Sequence, residues 1–176
     1  MTLADWQIQK LALEEDMIKG FDPERLNSYG YDLTLAGEFK IPDLMEQQVV
    51  DPFSPPPFRE REEEEFLLLP PHSFVLGRSV EKMKMPRNVT GVCMGRSTYA
   101  RAGIITNVTP LEAGWEGTVT IEISNTNIIP TLVRVGEGIT QVLFFQGEFM
   151  PEKDYVQKGG RYQDQVGVTQ GRPLHE

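Results

Sequence analysis

The sequence predicts a mainly β fold, a barrel or a sandwich, preceded by one helix. Between residues 66 and 146, short runs rich in valine, isoleucine, threonine and phenylalanine alternate with proline, glycine and asparagine turn signals. Helical periodicity is absent from that part of the chain. The 176 residues suffice for one domain with a substantial core and are too few for two comfortable ones. We therefore expect a single domain over residues 1–176.

The part before residue 66 is predicted to hold a helix and a surface loop. Thr2 and Asp5 resemble a capping pair at the start of the helix, apolar residues recur on one helical face, and Gly20 is expected to end it. The prolines of DPFSPPPFRE, residues 51–60, forbid regular structure, which indicates a surface loop. The charge run EREEEE, residues 60–65, is expected to be a solvated face or the approach to a strand.

One predicted strand, TVTIEIS at residues 118–124, sets a carboxylate on its polar face. Its valine and isoleucines point one way, and its threonines, Glu122 and serine point the other. Two interpretations stay open from these residues alone. Glu122 is either a surface carboxylate or a general base that a rigid strand holds in position.

A tight turn, GRSTYARAGI at residues 95–104, concentrates groups that suit phosphate. Ser97 is expected to cap a single helical turn that Gly103 closes. Free N–H groups at such a turn, together with the guanidinium groups of Arg96 and Arg101, bind phosphate oxygens. The alternative interpretation is a capped surface turn with incidental charges.

Composition excludes several classes of protein. The net charge of −9 argues against general nucleic-acid binding, although a few convergent donors can still bind a small anion. No apolar run reaches the length of a membrane span, and the N-terminus has no apolar core of signal-peptide length. The single cysteine, Cys93, rules out an internal disulfide and fits a reducing cytoplasm. We expect a cytoplasmic protein with no nucleic-acid or membrane partner.

Common catalytic motifs are also missing from the sequence. The only histidines, His72 in a turn and His175 near the C-terminus, are grouped neither with each other nor with Cys93. A zinc deaminase site is therefore not expected, nor is a serine–histidine pair. No phosphate-binding P-loop or dinucleotide-binding glycine motif is present. The last segment, KGGRYQDQVGVTQGRPLHE, is polar and glycine-rich, so we expect a tail without core residues that is mobile unless something orders it.

Several separated stretches together resemble bacterial dCTP deaminases of the dUTPase-like superfamily. They are, in order, SYGYDLTLAGEFKI, PPHSFVLGRSVEKMKMPRNV, MGRSTYARAGIITNVTPLEAGWEGTVTIEISNT, GEGITQVLFF and KGGRYQDQVGVT, and they cover nearly the whole chain. The resemblance implies a distorted β-barrel or jelly roll with an N-terminal helix and short helical turns. It also implies a homotrimer with sites between subunits and a C-terminal tail, about residues 154–176, that closes over the nucleotide.

The activity implied by this resemblance is a zinc-independent hydrolysis of dCTP to dUTP and ammonia, which feeds dUMP and dTTP synthesis. By similarity, Glu122 takes a proton from water and passes it to N3 of cytosine, while Ser97 and Arg101 orient the water and stabilise the charged site. Mg²⁺ is expected to bind through the triphosphate, no metal ligand is expected from the protein, and dTTP is a candidate inhibitor. The resemblance implies the following nucleotide-binding residues: Arg96, Ser97, Thr98, Tyr99, Ala100, Arg101, Thr120, Ile121, Glu122, Gln141, Tyr155, Arg161 and Gln165.

Two other functions remain open at this stage. A dUTP diphosphatase, or a bifunctional deaminase and diphosphatase, would use an aspartate in the hairpin TPLEAGWEG to direct water at the α-phosphate, and Glu112 stands at that place here. Against it, the tail lacks the glycine-rich aromatic motif of the diphosphatases. A non-catalytic regulator would bind dCTP or dTTP without turnover. In the same hairpin, Trp115 either packs near the sugar and base or only fills the core, and Glu112 either acts or only braces the hairpin.

Overall fold

The computed structural model describes residues 1–45 and 49–173, so the predicted tail residue His175 lies outside the described residues. Two α-helices and one 3₁₀-helix accompany twelve strands in the described ranges. The helices are α1 (Asp5–Glu14), the 3₁₀-helix (Pro23–Arg25) and α2 (Ser97–Arg101). The strands are β1 (Ile18–Lys19), β2 (Leu26–Asn27), β3 (Gly30–Thr34), β4 (Glu38–Pro42), β5 (Phe58–Glu62), β6 (Phe66–Leu69), β7 (Phe74–Lys84), β8 (Val89–Gly95), β9 (Ile104–Asn107), β10 (Glu116–Asn125), β11 (Thr131–Arg134) and β12 (Gly138–Gln146).

The strands form three sheets, which confirms the prediction of a mainly β fold. The largest sheet has the order β5-β4-β7-β10-β9, with β1 added against β7. A second sheet has the order β2-β3-β12-β8, and β6 pairs with β11 in a third. All the strand pairs are antiparallel, and this arrangement of packed sheets fits a jelly roll. No helix among the described residues is long and apolar enough to cross a membrane.

The first helix begins and ends at other residues than the sequence predicts. Its N-cap is Ala4, whose backbone N–H donates to the side-chain oxygen of Gln7 at 3.0 Å, while Thr2 forms a β-bridge with Phe145. At the other end, the helix stops at Glu14 because Asp16 takes a left-handed conformation with φ of 58°. The predicted cap and the predicted end at Gly20 are therefore wrong, since pairing with β12 and β7 decides where the chain turns.

The proline-rich loop and the acidic run behave largely as expected. Residues 55–57 are irregular, as the prolines predict, but the strand β5 begins at Phe58, inside the predicted loop. This edge strand carries much of the acidic run on exposed positions. Charged side chains on an edge strand discourage pairing with another molecule, so the run has a structural explanation.

The long strand β10 crosses the middle of the largest sheet and shows the predicted alternation. Val119, Ile121 and Ile123 are buried in the core, while Thr120 and Glu122 are half-buried on the opposite face. Opposite Val119, the partner strand β7 bulges, and the backbone N–H of Val119 donates instead to the buried hydroxyl of Ser79 at 2.9 Å. The core thus fixes one face of β10 and presents the other to the surface that the tail covers.

The C-terminal segment is not the coreless tail that its composition predicts. Val168 is only 8% exposed and Asp154 is 7% exposed. The Asp154 carboxylate accepts an ion-pair contact from Arg87 at 2.7 Å, and residue 165 forms a parallel bridge with Gly117. The segment is ordered because its backbone hydrogen-bonds to the start of β10, a contact that local sequence patterns do not reveal.

Candidate active site

A cavity of about 780 Å³ lies on the polar face of β10. The hairpin between β9 and β10 forms one wall, and the C-terminal tail forms another. The sequence-predicted residues that line it are Thr120, Glu122, Tyr155, Arg161 and Gln165, together with Glu112 and Trp115. Size and mixed polarity of this kind are typical of a site for a small molecule.

Glu122 is a cavity carboxylate with one buried oxygen atom, Oε2, that lacks a hydrogen-bond partner among the described residues. Burial raises the pKa of the Glu122 carboxyl above its ordinary value, opposed by a hydrogen bond with its own backbone. A buried, unpaired carboxylate oxygen at a cavity wall is suited to accept a proton from a bound water.

The charge of the same carboxylate affects the pKa of the Cys93 thiol. Burial, and after it the negative charge of Glu122, raise the pKa of Cys93 to about 12. The thiol therefore stays protonated at neutral pH and is not a nucleophile.

The tail is hydrogen-bonded to β10 on either side of Val119. Gln165 and Thr118 exchange two hydrogen bonds, because the Thr118 N–H donates to the Gln165 carbonyl at 3.0 Å and the Gln165 Nε2 donates to the Thr118 carbonyl at 2.6 Å. Further along, the N–H of Thr169 donates to the hydroxyl of Thr120 at 3.2 Å. These bonds place residues of the tail over the strand that carries Glu122.

Aromatic residues join the hairpin to the tail. The indole N–H of Trp115 donates to the Tyr162 carbonyl at 2.8 Å, and the Tyr162 N–H donates to the Tyr155 hydroxyl at 2.9 Å. The Arg161 guanidinium donates to the backbone carbonyl of Arg172 at 2.9 Å. Trp115 is buried and also lines the cavity, so packing near the sugar and base of a nucleotide stays a prediction.

The other predicted residues lie in a second group around the helix α2. This turn begins at Ser97, but its N-cap is Arg96 and no side chain caps it, so the predicted capping by Ser97 is wrong. The turn ends as predicted at Gly103, with φ of 74°. Arg96 forms an ion pair with Asp32 at 3.0 Å, and Gln141 donates to the other oxygen of Asp32 at 3.4 Å.

Within one chain, the two groups do not form a common site. Among the described residues that line the cavity, none comes from residues 96–101, and Gln141 is also absent. Ser97, Thr98, Ala100 and Arg101 are exposed, whereas Tyr99 is half-buried against the core and accepts a hydrogen bond from the Arg134 N–H. Ile121 is fully buried, so only its backbone can face a ligand.

Several residues at these sites were missed by the sequence analysis. Leu76 and Phe58 line the cavity from strands β7 and β5, and Tyr162 lines it from the tail. Asp32 organises the second group from strand β3. Strand alternation could have placed Leu76 and Asp32 on a face, but not beside these particular partners.

The described residues contain no group of three or more histidine, cysteine, aspartate or glutamate side chains placed to hold a metal ion. Of the carboxylates at the cavity, Glu112 forms an ion pair with Lys158 at 3.7 Å and Glu122 is unpaired among the described residues. The side chains that line the cavity therefore include two carboxylates, those of Glu112 and Glu122, and the guanidinium of Arg161.

Comparison with known proteins identifies close relatives. A family model described as dCTP deaminase-like matches residues 2–147. The dCTP deaminase of Herpetosiphon aurantiacus is 46% identical over 94% of this chain and 96% of that protein. The dCTP deaminase of Dechloromonas aromatica is 45% identical over the same shares of the two chains. The crystal structure of 2′-deoxycytidine 5′-triphosphate deaminase from Agrobacterium tumefaciens matches with a TM-score of 0.69 at 21% identity, over 83% of this chain and 48% of that chain, which shows a common fold. This chain thus spans about half the length of that structure.

Proposed function

The chain belongs to the dCTP deaminase-like family, and we propose that it catalyses the zinc-independent hydrolysis of dCTP to dUTP and ammonia, which feeds dUMP and dTTP synthesis. The observation that carries the proposal is the Glu122 carboxylate, whose Oε2 atom is buried without a hydrogen-bond partner in the described structure. A group of this kind costs stability, and a role in proton transfer explains why it is there.

In the proposed reaction, Glu122 acts first as a base and then as an acid. It takes one proton from a water molecule, and the resulting hydroxide attacks C4 of cytosine. The carboxyl group then passes that proton to N3. Breaking the bond between C4 and the exocyclic nitrogen releases ammonia once this nitrogen has received the proton of the new hydroxyl group. Water and dCTP are thereby converted to dUTP and ammonia without an additional reactant.

The nucleotide-binding residues are proposed to come from two copies of the chain. Thr120, Tyr155, Arg161 and Gln165 line the same cavity as Glu122, which supports their assignment to one half of the site. The group around α2 lies outside that cavity and carries exposed donors.

We propose that α2 of a neighbouring copy completes the site. Ser97 and Arg101 would then orient the water and stabilise charge, and residues 96–101 with Gln141 would hold phosphate oxygens. A homotrimer with closed cyclic symmetry would create three such sites.

Mg²⁺ is proposed to bind with the substrate. The described residues supply no cluster of three metal-binding side chains, and Mg²⁺ commonly keeps waters and binds through substrate phosphates, so the triphosphate would be its main ligand. We further propose dTTP as an inhibitor that occupies the same site. A cytoplasmic location is proposed because the single cysteine fits a reducing compartment.

A second activity on the same fold remains a candidate because of Glu112. This carboxylate lines the same cavity as Glu122, where a diphosphatase would direct water at the α-phosphate. The ion pair of Glu112 with Lys158 favours a bracing role instead. The products distinguish the functions, since a diphosphatase forms dUMP and pyrophosphate.

The testing experiment is incubation of the full chain with dCTP and Mg²⁺, with and without a chelator selective for zinc, followed by chromatography of the products. Formation of dUTP and ammonia that the chelator leaves unchanged is the expected result. Direct appearance of dUMP and pyrophosphate would favour the bifunctional enzyme. Binding of dCTP or dTTP without turnover would contradict the deaminase and favour a regulator.

A further inference from the structure

Leu76 is the direct cross-strand neighbour of Glu122 on the strand β7. Residues directly opposite each other in an antiparallel pair share one face of the sheet, with Cβ atoms about 4.5–5.5 Å apart. Leu76 is 6% exposed and lines the same cavity as Glu122. An apolar side chain thus stands directly beside the carboxylate.

On its other side, Leu76 is the direct neighbour of a lysine. Strand β4 places Lys40 opposite Leu76, so Lys40, Leu76 and Glu122 form one row across three adjacent strands. The row continues to Glu60 on β5, whose carboxylate lies 3.7 Å from the Lys40 ammonium. Glu60 is 81% exposed, so this ion pair holds the lysine only weakly.

The geometry would allow the lysine to reach Glu122 if the leucine were smaller. Neighbouring strands are about 4.8 Å apart, so the Cα atoms of Lys40 and Glu122 are on the order of 10 Å apart across β7. The flexible four-carbon stem of lysine and the side chain of glutamate together span such a gap. The branched side chain of Leu76 occupies the space between them.

We propose that Leu76 is a positioning residue that keeps the Lys40 ammonium away from the Glu122 carboxylate, so that this carboxylate stays unpaired and free to take a proton from water. The inference rests on the proposed role of Glu122 as the base. An ion pair with Lys40 would stabilise the charged carboxylate and weaken it as a proton acceptor.

Other titratable groups near Glu122 are already engaged or lie across the cavity. Arg78, on the same face of β7, donates to Glu38 through two guanidinium nitrogens, which leaves Lys40 as the cation nearest in the strand row. The charge of Glu122 also acts on the Cys93 thiol, and the other titratable residues that line the cavity are Glu112, Tyr155, Arg161 and Tyr162.

The test is a double-mutant cycle with Leu76→Ala, Lys40→Met and the combined variant, in the full chain. The pKa of Glu122 is measured without substrate by ¹³C NMR of labelled glutamate, with Glu122→Gln identifying the resonance. The pH profile of kcat/KM is measured in parallel. We expect Leu76→Ala to lower the pKa of Glu122 by about one pH unit or more. The acidic limb of the kcat/KM profile should shift to lower pH by the same amount.

Lys40→Met alone should leave the pKa of Glu122 and the pH profile unchanged. When it is combined with Leu76→Ala, it should reverse most of the shift that Leu76→Ala causes. A shift that Lys40→Met does not reverse would overturn the inference, since water entry alone would then explain it. An unchanged pKa in Leu76→Ala would overturn it as well.

Two controls separate this proposal from general destabilisation and from failure of the proposed function. Leu67→Ala removes an equally large buried side chain from strand β6, outside the cavity, and it should lower Tm without moving the pKa of Glu122. Leu76→Met conserves volume and should keep the pH profile of the wild type. If the wild-type chain does not convert dCTP to dUTP, the proposed function fails, and if Glu122→Gln retains normal turnover, the proposed base fails. If Glu122→Gln is inactive while Leu76→Ala leaves the pKa unchanged, only the present inference fails.

Discussion

The indole N–H of Trp115 donates a 2.8 Å hydrogen bond to the backbone carbonyl of Tyr162. Trp115 lies in the hairpin before β10, and Tyr162 lies in the tail, so this bond joins two walls of the cavity. Because the ring of Trp115 is only 6% exposed, the tail is part of the packing around it as well as part of the site.

Truncation after Lys153 should therefore weaken both binding and stability. It removes Tyr155, Arg161 and Gln165 from the cavity wall and exposes the indole of Trp115. We expect a loss of dCTP affinity and turnover, a lower Tm, and an unchanged oligomeric state, since α2 and the sheets remain. Calorimetric binding, thermal unfolding and light scattering measure the three quantities. Dissociation of the oligomer would contradict the expectation and make the tail an assembly element.

Replacing Glu122 by glutamine should separate binding from chemistry. The amide keeps the size of the side chain but cannot take a proton from water, so we expect turnover to fall by about 10²–10⁴ with little change in the Kd for dCTP. Single-turnover rates and equilibrium binding on the same preparation provide the comparison. Near-normal rates in this variant would rule out the proposed base.

The same substitution should stabilise the folded protein in a pH-dependent way. Burial raises the folded-state pKa of Glu122, so the unfolded chain loses its proton first as the pH rises. As the pH rises from the ordinary pKa of glutamate to the raised value, the free energy of unfolding of the wild type therefore falls relative to that of Glu122→Gln. Thermal unfolding across this window should show the Tm difference growing with pH and then levelling. A constant difference, or one that shrinks as the pH rises, would show that the carboxylate is not penalised by burial.

Mixing two inactive variants tests whether the site is shared between copies. If Glu122 and Arg101 act in the same site from different subunits, Glu122→Gln and Arg101→Ala each inactivate one half. If the proposed trimer forms, an equal, random mixture should regain about a quarter of the wild-type rate, because each mixed trimer would contain one intact site. Co-expression with two purification tags allows the mixed species to be isolated. Mixed oligomers no more active than either variant alone would place both residues in one chain's site.

Asn125 should be essential for stability at the far end of β10. Its side chain is 2% exposed, and Nδ2 donates to three backbone carbonyls, those of Leu69, Pro70 and Ile129, at 3.0–3.1 Å. Asn125→Asp has the same shape but cannot donate these bonds in its charged form, so we expect a loss of about 2 kcal/mol or more in the free energy of unfolding. Denaturant unfolding measures it, with the half-buried Asn88→Asp as the matched control. Equal effects of the two substitutions would contradict the assigned role.

The strand pattern could be predicted because it depends on neighbours in the sequence. The alternation of Val119, Ile121 and Ile123 with polar residues follows from the pleat of a strand, and the core confirmed it. The turn that α2 forms was likewise visible, because Gly103 can take a left-handed conformation at its end. The caps of α1 were wrong, since contacts with distant strands decide them.

The sequence by itself determined the fold class, the strand that carries Glu122 and the helical turn that carries Ser97 and Arg101. Only the tertiary structure decided how those parts meet. Thr118 and Gln165 pair across 47 positions of the chain, and Leu76 comes to lie between Lys40 and Glu122, because sheet order and register bring distant segments together. Local propensity and periodicity act over a few residues, whereas burial of the carboxylate and closure of the cavity depend on packing across the whole fold.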